Sequence, residues 1–438
     1  MLRGKSMNAL IAFRALQGLG GGGTIVMVQI VLSDIVSLEN RGKYGSALGA
    51  CWGAACALGP VVGGILSQKA SWRYCFWLNV PLGLLASALL LFLNLNPASK
   101  MSFTEFSNHF DFLGALLLVL GTGTFLAGLS LAADRGFGDP ATIALIAAGP
   151  LLLVVAGLVE WRTPRMAIIP PRLLKTRTTL SLFGVNFLHG IGFMCTLFYL
   201  PVVFQGVNGD NSLISGLKMF PVSLGGALAM TVSGPLVTFT KRTRPIIWAG
   251  TLLMGLGAGL LILLSEKSSL AAEMLFSLVQ GLGAGLLSHP LLIALQAAMP
   301  LKDMGACTGA ASLYVVRTLG QTTGVALGGV TFQTELARRL RAIPELAGSS
   351  TEASILQGNY KDIKAIMPAE LRDQVVVALS RSLRMIFIVL LPVAATAFLL
   401  SLLLRHYSLE RNLMKDLENI HIVAELPRGD DTDTTEEK

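Results

Sequence analysis

Gly59-Pro60-Val61-Val62-Gly63-Gly64 is the stretch of this sequence that decides the fold. It lies in the apolar segment 44–66, which carries no charge and is long enough to cross a bilayer as a helix. Glycines four residues apart let another helix approach closely, and a proline bends a helix because its ring displaces one ladder hydrogen bond. The stretch therefore predicts a bent transmembrane helix with four close-packing residues: Gly59, Pro60, Gly63 and Gly64.

The composition indicates an integral membrane protein. Of 438 residues, 53% are hydrophobic and 14% are charged, with a mean hydropathy of +0.65. A soluble domain carries about 25% charged residues. The five cysteines all lie in apolar segments, without the spacing of a disulfide framework or a metal site. We expect no metal, no cofactor and no enzymatic activity.

Other partners can be judged from the same sequence. The net charge of +8 suits loops that face an anionic leaflet, whereas no basic cluster with interleaved aromatic residues suggests nucleic acid. Residues 18–23 satisfy a dinucleotide-binding pattern, but no strand precedes them. No phosphate-binding loop of the GxxxxGK[ST] type occurs, so we expect energy to come from an ion gradient or from the solute rather than from ATP.

Apolar runs predict an all-α membrane protein of about eleven transmembrane helices. The spans are 8–31, 44–66, 74–95, 112–132, 141–159, 180–205, 213–239, 245–264, 271–299, 305–331 and 385–404. Basic loops at 161–179 and 241–244 fall on one side, which we assign to the cytoplasm. The tail 405–438 is then cytoplasmic and is expected to be disordered, while the N-terminus faces outside.

A second stretch, Arg14-Ala-Leu-Gln17-Gly18-Leu-Gly20-Gly21, places an arginine inside the first span. An intramembrane arginine is costly and is a functional candidate by default. Arg14, Gln17 and Gly21 share one helical face, which we interpret as a polar stripe toward a central cavity. The alternative is an arginine that only fixes helix packing.

These two stretches, with Ser33-Asp34-Ile35-Val36 and Arg41-Gly42-Lys43-Tyr44 between them and Ser71-Trp72-Arg73 after them, resemble the major facilitator superfamily. More narrowly they are similar to its fungal branch of fourteen-span drug and toxin proton antiporters. The resemblance implies that the Arg14 helix is the fourth span, where the arginine would assist proton transfer, and that 44–66 is the fifth, the antiporter-motif helix. Ala55 replaces the leading glycine of that motif.

The resemblance also implies a domain organisation of the major facilitator fold. Residues 1–95 would form a partial N-terminal half of three spans, 96–165 a two-span central insertion, and 166–404 a C-terminal half of six spans with a long loop at 332–384. The family's first three spans would then be absent. We therefore expect that the working protein carries three further spans before Met1, because two matched bundles are needed to enclose a cavity.

An internal repeat supports two related halves. Residues 17–22, QGLGGG, recur as QGLGAG at 280–285, and residues 59–64, GPVVGG, recur as GVALGG at 324–329. The shifts are 263 and 265 residues, so two glycine-rich helices repeat in the same order and nearly the same register.

Further candidate residues for the transport site lie in the second half. Their polar side chains fall inside apolar spans, where a lone histidine is also compatible with a packing role and an arginine with an anchoring role. They are Asn186, His189, Gln280, His289, Tyr314, Arg317 and Gln321.

The function expected from the resemblance is efflux of a small organic drug, toxin or secondary metabolite in exchange for protons, with alternating access in a lipid bilayer. The alternatives are facilitated uptake of a polar nutrient and a truncated membrane protein that no longer transports. We expect a monomer in the plasma membrane, with the vacuolar membrane as the alternative.

Overall fold

The computed structural model describes residues 7–36, 40–71, 73–92, 110–163, 176–299, 307–346, 348–356 and 368–407, with residues 102, 104, 105, 358 and 363 between them. Fourteen α-helices occupy these residues. Ten spans within them are long and apolar enough to cross a membrane. The all-α membrane architecture predicted from the apolar runs is therefore confirmed.

The N-terminal part contains four helices: α1 Met7–Ile35, α2 Arg41–Lys69, α3 Tyr74–Trp77 and α4 Asn79–Leu91. The predicted third span is divided at Leu78 into α3 and α4. Helix α1 has no buried residue between Ala9 and Val28, and its large apolar side chains are open, with Leu19 at 78% exposure. Such a surface suits lipid or another helix.

The middle of the chain forms a hairpin of two long helices, α5 Phe112–Arg135 and α6 Pro140–Arg162. Asp111 caps α5 by accepting a hydrogen bond from the Gly114 amide at 2.9 Å. Asp139 caps α6 in the same way from Thr142 at 3.1 Å. Because each cap satisfies an amide that would otherwise lack a partner, the start of each helix of the hairpin is well defined.

The C-terminal part contains the remaining helices. These are α7 Arg177–Val202, continued by a π-helical turn at Val203–Val207, then α8 Ser212–Lys218, α9 Phe220–Thr240, α10 Arg244–Ile262, α11 Leu270–Ala298, α12 Cys307–Arg341, α13 Ser350–Leu356 and α14 Ala369–Leu402. Helices α8 and α9 make one span with a break at Met219.

Helix packing in this part is dense. Helix α11 packs against α9 and α10, while α7 packs against α12 and α14. Buried apolar side chains of these helices form the two main hydrophobic clusters, one centred on Phe204 and Phe387 and the other on Met254 and Leu287. The core of the molecule therefore lies within the C-terminal six spans.

Helix α12 covers residues 307–331 of the predicted span 305–331 but is not among the ten apolar spans. Its sequence includes Arg317, Gln321 and several threonines, so its hydropathy is low. It packs against α7, α14 and α5, and a helix enclosed in this way does not need an apolar surface all round.

Candidate functional site

The site is built on a close contact between α7 and α12. A Cβ added at Gly320 or Gly324 would collide with backbone carbonyls of α7, those of Phe187 and Ile191 respectively. From the other side, a Cβ at Gly190 would lie 2.5 Å from the carbonyl oxygen of Arg317. Glycines on both helices therefore bring the two backbones together, as expected for small residues at a membrane helix interface.

Two long-range hydrogen bonds fix the register of this pair. The buried Asn186 amide donates to the carbonyl of Leu313 at 2.7 Å. Nearer the π-helical turn, the hydroxyl of Tyr199 donates to the carbonyl of Val325 at 2.9 Å. Asn186, predicted as a transport residue, here ties α7 to α12.

His189 connects α7 to α11. Its Nε2 donates to the carbonyl of Ala284 at 3.0 Å, and its ring stacks on Phe193 with centroids 6.0 Å apart. Nδ1 is buried and has no hydrogen-bond partner among the described residues. Because Nε2 faces a carbonyl and must carry the proton, Nδ1 presents a lone pair in the neutral ring.

His289 lies on α11 and contacts the N-terminal part of the chain. Its ring donates a hydrogen bond to the backbone of Gly45 on α2, and a Cβ on Gly45 would lie 3.2 Å from the ring. Nε2 is buried without a partner among the described residues. His289 thus bridges the two parts of the chain that the sequence assigns to different halves.

Arg317 lies on α12 beside the ring of Phe193, with its guanidinium carbon 5.8 Å from the ring centroid. Its side chain is partly exposed, and it is close enough to act electrostatically on His189 and His289. Tyr314 lies one turn earlier on α12 and is also partly exposed. The structure therefore brings Arg317, Tyr314 and both histidines into one neighbourhood.

Two further predicted residues lie around this group. Gln280 is buried in α11, and its amide donates to the hydroxyl of Thr196 on α7 at 3.2 Å. Gln321 is partly exposed, and its backbone nitrogen would lie 3.0 Å from a Cβ on Gly190. Gln280 therefore adds a second hydrogen bond between α7 and α11, beside that of His189.

The predicted residues of α1 lie apart from this group. Arg14 is exposed and donates to the Gln17 side chain at 3.1 Å, which confirms that the two side chains meet on one face. The Arg14 guanidinium carbon also lies 5.9 Å from the centroid of the Phe76 ring. No described atom lies within 4 Å of a Cβ added at Gly21.

Helix α2 packs on α9, although the closest contacts use other glycines than those predicted. Gly49 and Gly53 lie against Met230 and Ala227 of α9, whereas no described atom lies within 4 Å of a Cβ at Gly59 or Gly63. Gly64 does face α8, because a Cβ added there would lie 3.3 Å from the Cα of Leu213. The side chain of Pro60 lies outside the described residues.

A cluster that the sequence did not reveal lies at the opposite end of α7 from Arg177. Lys218 Nζ is 2.6 Å from Asp210 and 3.0 Å from Glu273, and the other carboxylate oxygen of Glu273 accepts from Asn208 at 2.7 Å. The lysine also lies 5.4 Å from the ring of Phe204. A lysine inside the predicted span 213–239 was the available signal.

His189, His289 and Arg317 lie at a similar depth in the membrane-spanning bundle. Spans alternate in direction, so the start of α7, the end of α11 and the start of α12 lie on the same side. His189, His289 and Arg317 are twelve, nine and ten residues from those ends, or about 14–18 Å at 1.5 Å per residue. This is near the middle of a hydrocarbon core of about 30 Å.

Comparison with known proteins gives the family. Residues 2–325 match the Major Facilitator Superfamily. The chain belongs to this superfamily of membrane transporters. The family resemblance seen in the sequence and the expected fold class are therefore confirmed.

Several fungal relatives align with most of the chain. An uncharacterized transporter of Schizosaccharomyces pombe is 33% identical over 93% of this chain and 68% of its own length. The efflux pump dotC of Dothistroma septosporum is 32% identical over 91% and 69%, and the aspyridones efflux protein of Neocamarosporium betae is 31% identical over 87% and 68%. The chain spans about two thirds of the length of these relatives.

Proposed function

We propose that this chain acts in the efflux of a small organic molecule across a membrane, with protons as the counter-ion. The observation that carries the proposal is the alignment of nine-tenths of the chain with a fungal protein named as an efflux pump. A polar group at mid-depth in an apolar helix bundle supports it, because transporters of this architecture bind their substrates near the bilayer midplane.

Alternating access would use the contacts between the N-terminal and C-terminal parts. Helix α2 runs along α8 and α9 and reaches α11 at Gly45 and His289. Rocking of one half against the other must slide or break these contacts. Small residues at Gly49 and Gly53 leave a smooth surface on which such sliding is possible.

Proton coupling would use the two buried histidines. Helices α2, α7, α9 and α10 contain no acidic residue, and the acids of α11 and α12 are Glu273 and Glu335, far from the midplane. Histidine changes its charge near neutral pH. Each ring has one nitrogen bonded to the backbone and one without a partner among the described residues, so each has a place for a proton.

The predicted side chains of α1 complete the proposal. Arg14 and Gln17 form a polar pair on an exposed face of α1, and we assign this face to the N-terminal wall of the transport pathway. The protein would act as a monomer in the plasma membrane.

The test is transport in proteoliposomes that contain the purified protein. Vesicles are loaded with one of two dyes, the neutral amphipathic Nile red or the anionic fluorescein. A pH gradient is then imposed across the membrane. We expect dye movement that depends on the gradient and is abolished by a proton ionophore. A His289→Asn variant should retain movement down a dye gradient and lose its dependence on pH. Accumulation of a sugar instead of either dye would contradict the proposal.

A further inference from the structure

Among the acidic side chains that the structure describes on α11 and α12, none lies near the cation at Arg317. On α11, Glu273 is sixteen residues from His289, which is about 24 Å along the helix. On α12, Glu335 is eighteen residues from Arg317, which is about 27 Å along the helix. Glu273 is already bonded to Lys218 and Asn208, and Glu335 to Arg338 and Arg339. Among the described residues, no side chain forms an ion pair or hydrogen bond with the guanidinium of Arg317.

A guanidinium in this position is expensive to keep unpaired. Charges inside a membrane protein pair with one another or with backbone carbonyls, and an unpaired one in a medium of low dielectric carries a large desolvation cost. The side chain nevertheless remains partly exposed at mid-depth. The exposed part of the Arg317 side chain leaves room for an anion to bind the guanidinium.

The surroundings fix the position of this cation. Gly190 of α7 packs against the Arg317 carbonyl, and Gly320 one turn later packs against Phe187. The Asn186–Leu313 hydrogen bond holds the preceding turn. The backbone that carries the arginine is therefore held on both sides, which lowers the entropy lost when a ligand binds.

Aromatic side chains next to Arg317 add an apolar surface to the site. Phe193 offers an aromatic ring next to the guanidinium, and the ring of His189 stacks on Phe193 as well. An arginine fork donates two parallel hydrogen bonds to a planar carboxylate, and an aromatic ring suits the apolar body of the same molecule.

We propose that Arg317 is an anion-binding residue and that the molecules carried by this protein are amphipathic organic acids, with the acidic group at Arg317 and the apolar body along Phe193. This inference rests on the proposed transport of small organic molecules and names their chemical class. It assigns to Arg317 a role in substrate charge selectivity rather than in proton movement.

The test compares two probes that differ in charge. Naphthaleneacetic acid is ionised at pH 7.5, because carboxylic acids titrate near pH 4, whereas naphthaleneacetamide has the same ring and no charge. Binding of each radiolabelled probe to the protein in nanodiscs is measured by equilibrium dialysis. We expect the acid to bind at least about tenfold more tightly than the amide.

Three variants separate the role of Arg317 from general effects. Arg317→Gln should remove the preference for the acid and leave amide affinity within about twofold, and Arg317→Lys should retain part of the preference because it keeps the charge. Arg242→Gln is the matched control, since Arg242 is exposed in the loop after α9. It should bind both probes like the unmodified protein.

The outcomes distinguish this inference from the proposed function. Equal binding of acid and amide by the unmodified protein, or an acid preference that survives in folded Arg317→Gln, overturns the inference and leaves export of organic molecules intact. If the protein binds neither probe and moves neither Nile red nor fluorescein, both the inference and the proposed function fail. The comparison in the unmodified protein does not depend on whether a variant folds.

Discussion

Gly53 of α2 lies so close to Ala227 of α9 that a Cβ on the glycine would overlap the alanine methyl group. Gly49 makes a similar approach four residues earlier, where an added Cβ would lie 3.0 Å from the side chain of Met230. These two glycines, rather than Gly59 and Gly63, set the distance between α2 and the C-terminal bundle. The contact is the most extensive one that the described N-terminal helices make with that bundle.

Substitution of Gly53 should therefore be far more damaging than substitution of Gly59. A Gly53→Val variant forces α2 away from α9 because the added atoms meet Ala227, and overpacking of this kind costs about 1–3 kcal/mol or more. Gly59→Ala adds a methyl group where no described atom lies within 4 Å and improves helix propensity. Thermal unfolding of the detergent-purified variants measures the difference.

The contrary result would be informative about the antiporter stretch. If Gly59→Ala lowers the unfolding temperature as much as Gly53→Val, a partner helix must pack on Gly59 in the working protein. If it lowers transport without lowering stability, the glycine serves a moving contact instead. Gly64→Val provides a third point, because Gly64 already meets the backbone of Leu213.

Enlarging Gly45 should disturb His289. A methyl group on Gly45 would lie 3.2 Å from the imidazole, so Gly45→Ala must shift the ring and weaken its hydrogen bond to the α2 backbone. We expect a slower and less pH-dependent transport with little loss of abundance in the membrane. Transport rates at several pH values, compared with those of His289→Asn, provide the measurement. If transport by Gly45→Ala depends on pH as it does in the unmodified protein, the hydrogen bond between His289 and α2 is not needed for proton coupling.

Helix positions could be predicted from the sequence because they depend on long apolar runs. A helix forms at each of the eleven predicted spans, and the boundaries differ by a few residues except at two helices: α12 ends at Arg341 instead of 331, and α14 begins at Ala369 instead of 385. That helix starts with a charged, amphipathic turn that lies beyond its apolar segment. A search for apolar runs cannot find such an extension.

The site was only partly predictable. The position of polar residues inside apolar spans made His189, His289 and Arg317 candidates, because such residues are costly unless they serve a purpose. Which of them meet depends on helix rotation and pairing, and these follow from glycine contacts between segments more than 100 residues apart, such as Gly320 with Phe187. The sequence contains no local signal for those pairings.

Arg14 should matter for transport and little for folding. It is exposed, and its hydrogen bond with Gln17 lies within one helix, so Arg14→Ala removes no contact that holds two buried segments together. We expect proton-dependent export to be lost while the amount of protein in the membrane is unchanged. Export and surface abundance are measured on the same cells, with Gln17→Ala as a variant that removes the partner but keeps the charge. Full export by Arg14→Ala would exclude this role.

The cluster of Lys218, Asp210 and Glu273 should be a main source of stability at its end of the bundle. It joins the end of α7, α8 and the start of α11, and the side chain of Glu273 is only 5% exposed. Removing one partner of a buried ion pair costs about 3–5 kcal/mol because it leaves an uncompensated charge. Lys218 and Asp210 keep 14% and 17% exposure, which places the expected cost of Lys218→Met near the lower end, about 3 kcal/mol.

A control and a rescue make this prediction specific. Lys267→Met removes an exposed lysine from the loop before α11 and should leave the unfolding temperature unchanged. The triple variant Lys218→Met, Asp210→Asn, Glu273→Gln removes the stranded negative charges together with the lysine. It should recover much of the stability lost in Lys218→Met, because neutral amides can still hydrogen-bond with Asn208 and with each other. If the triple variant is less stable than Lys218→Met alone, the carboxylates must be stabilised by their other neighbours, and the lysine is not the centre of the cluster.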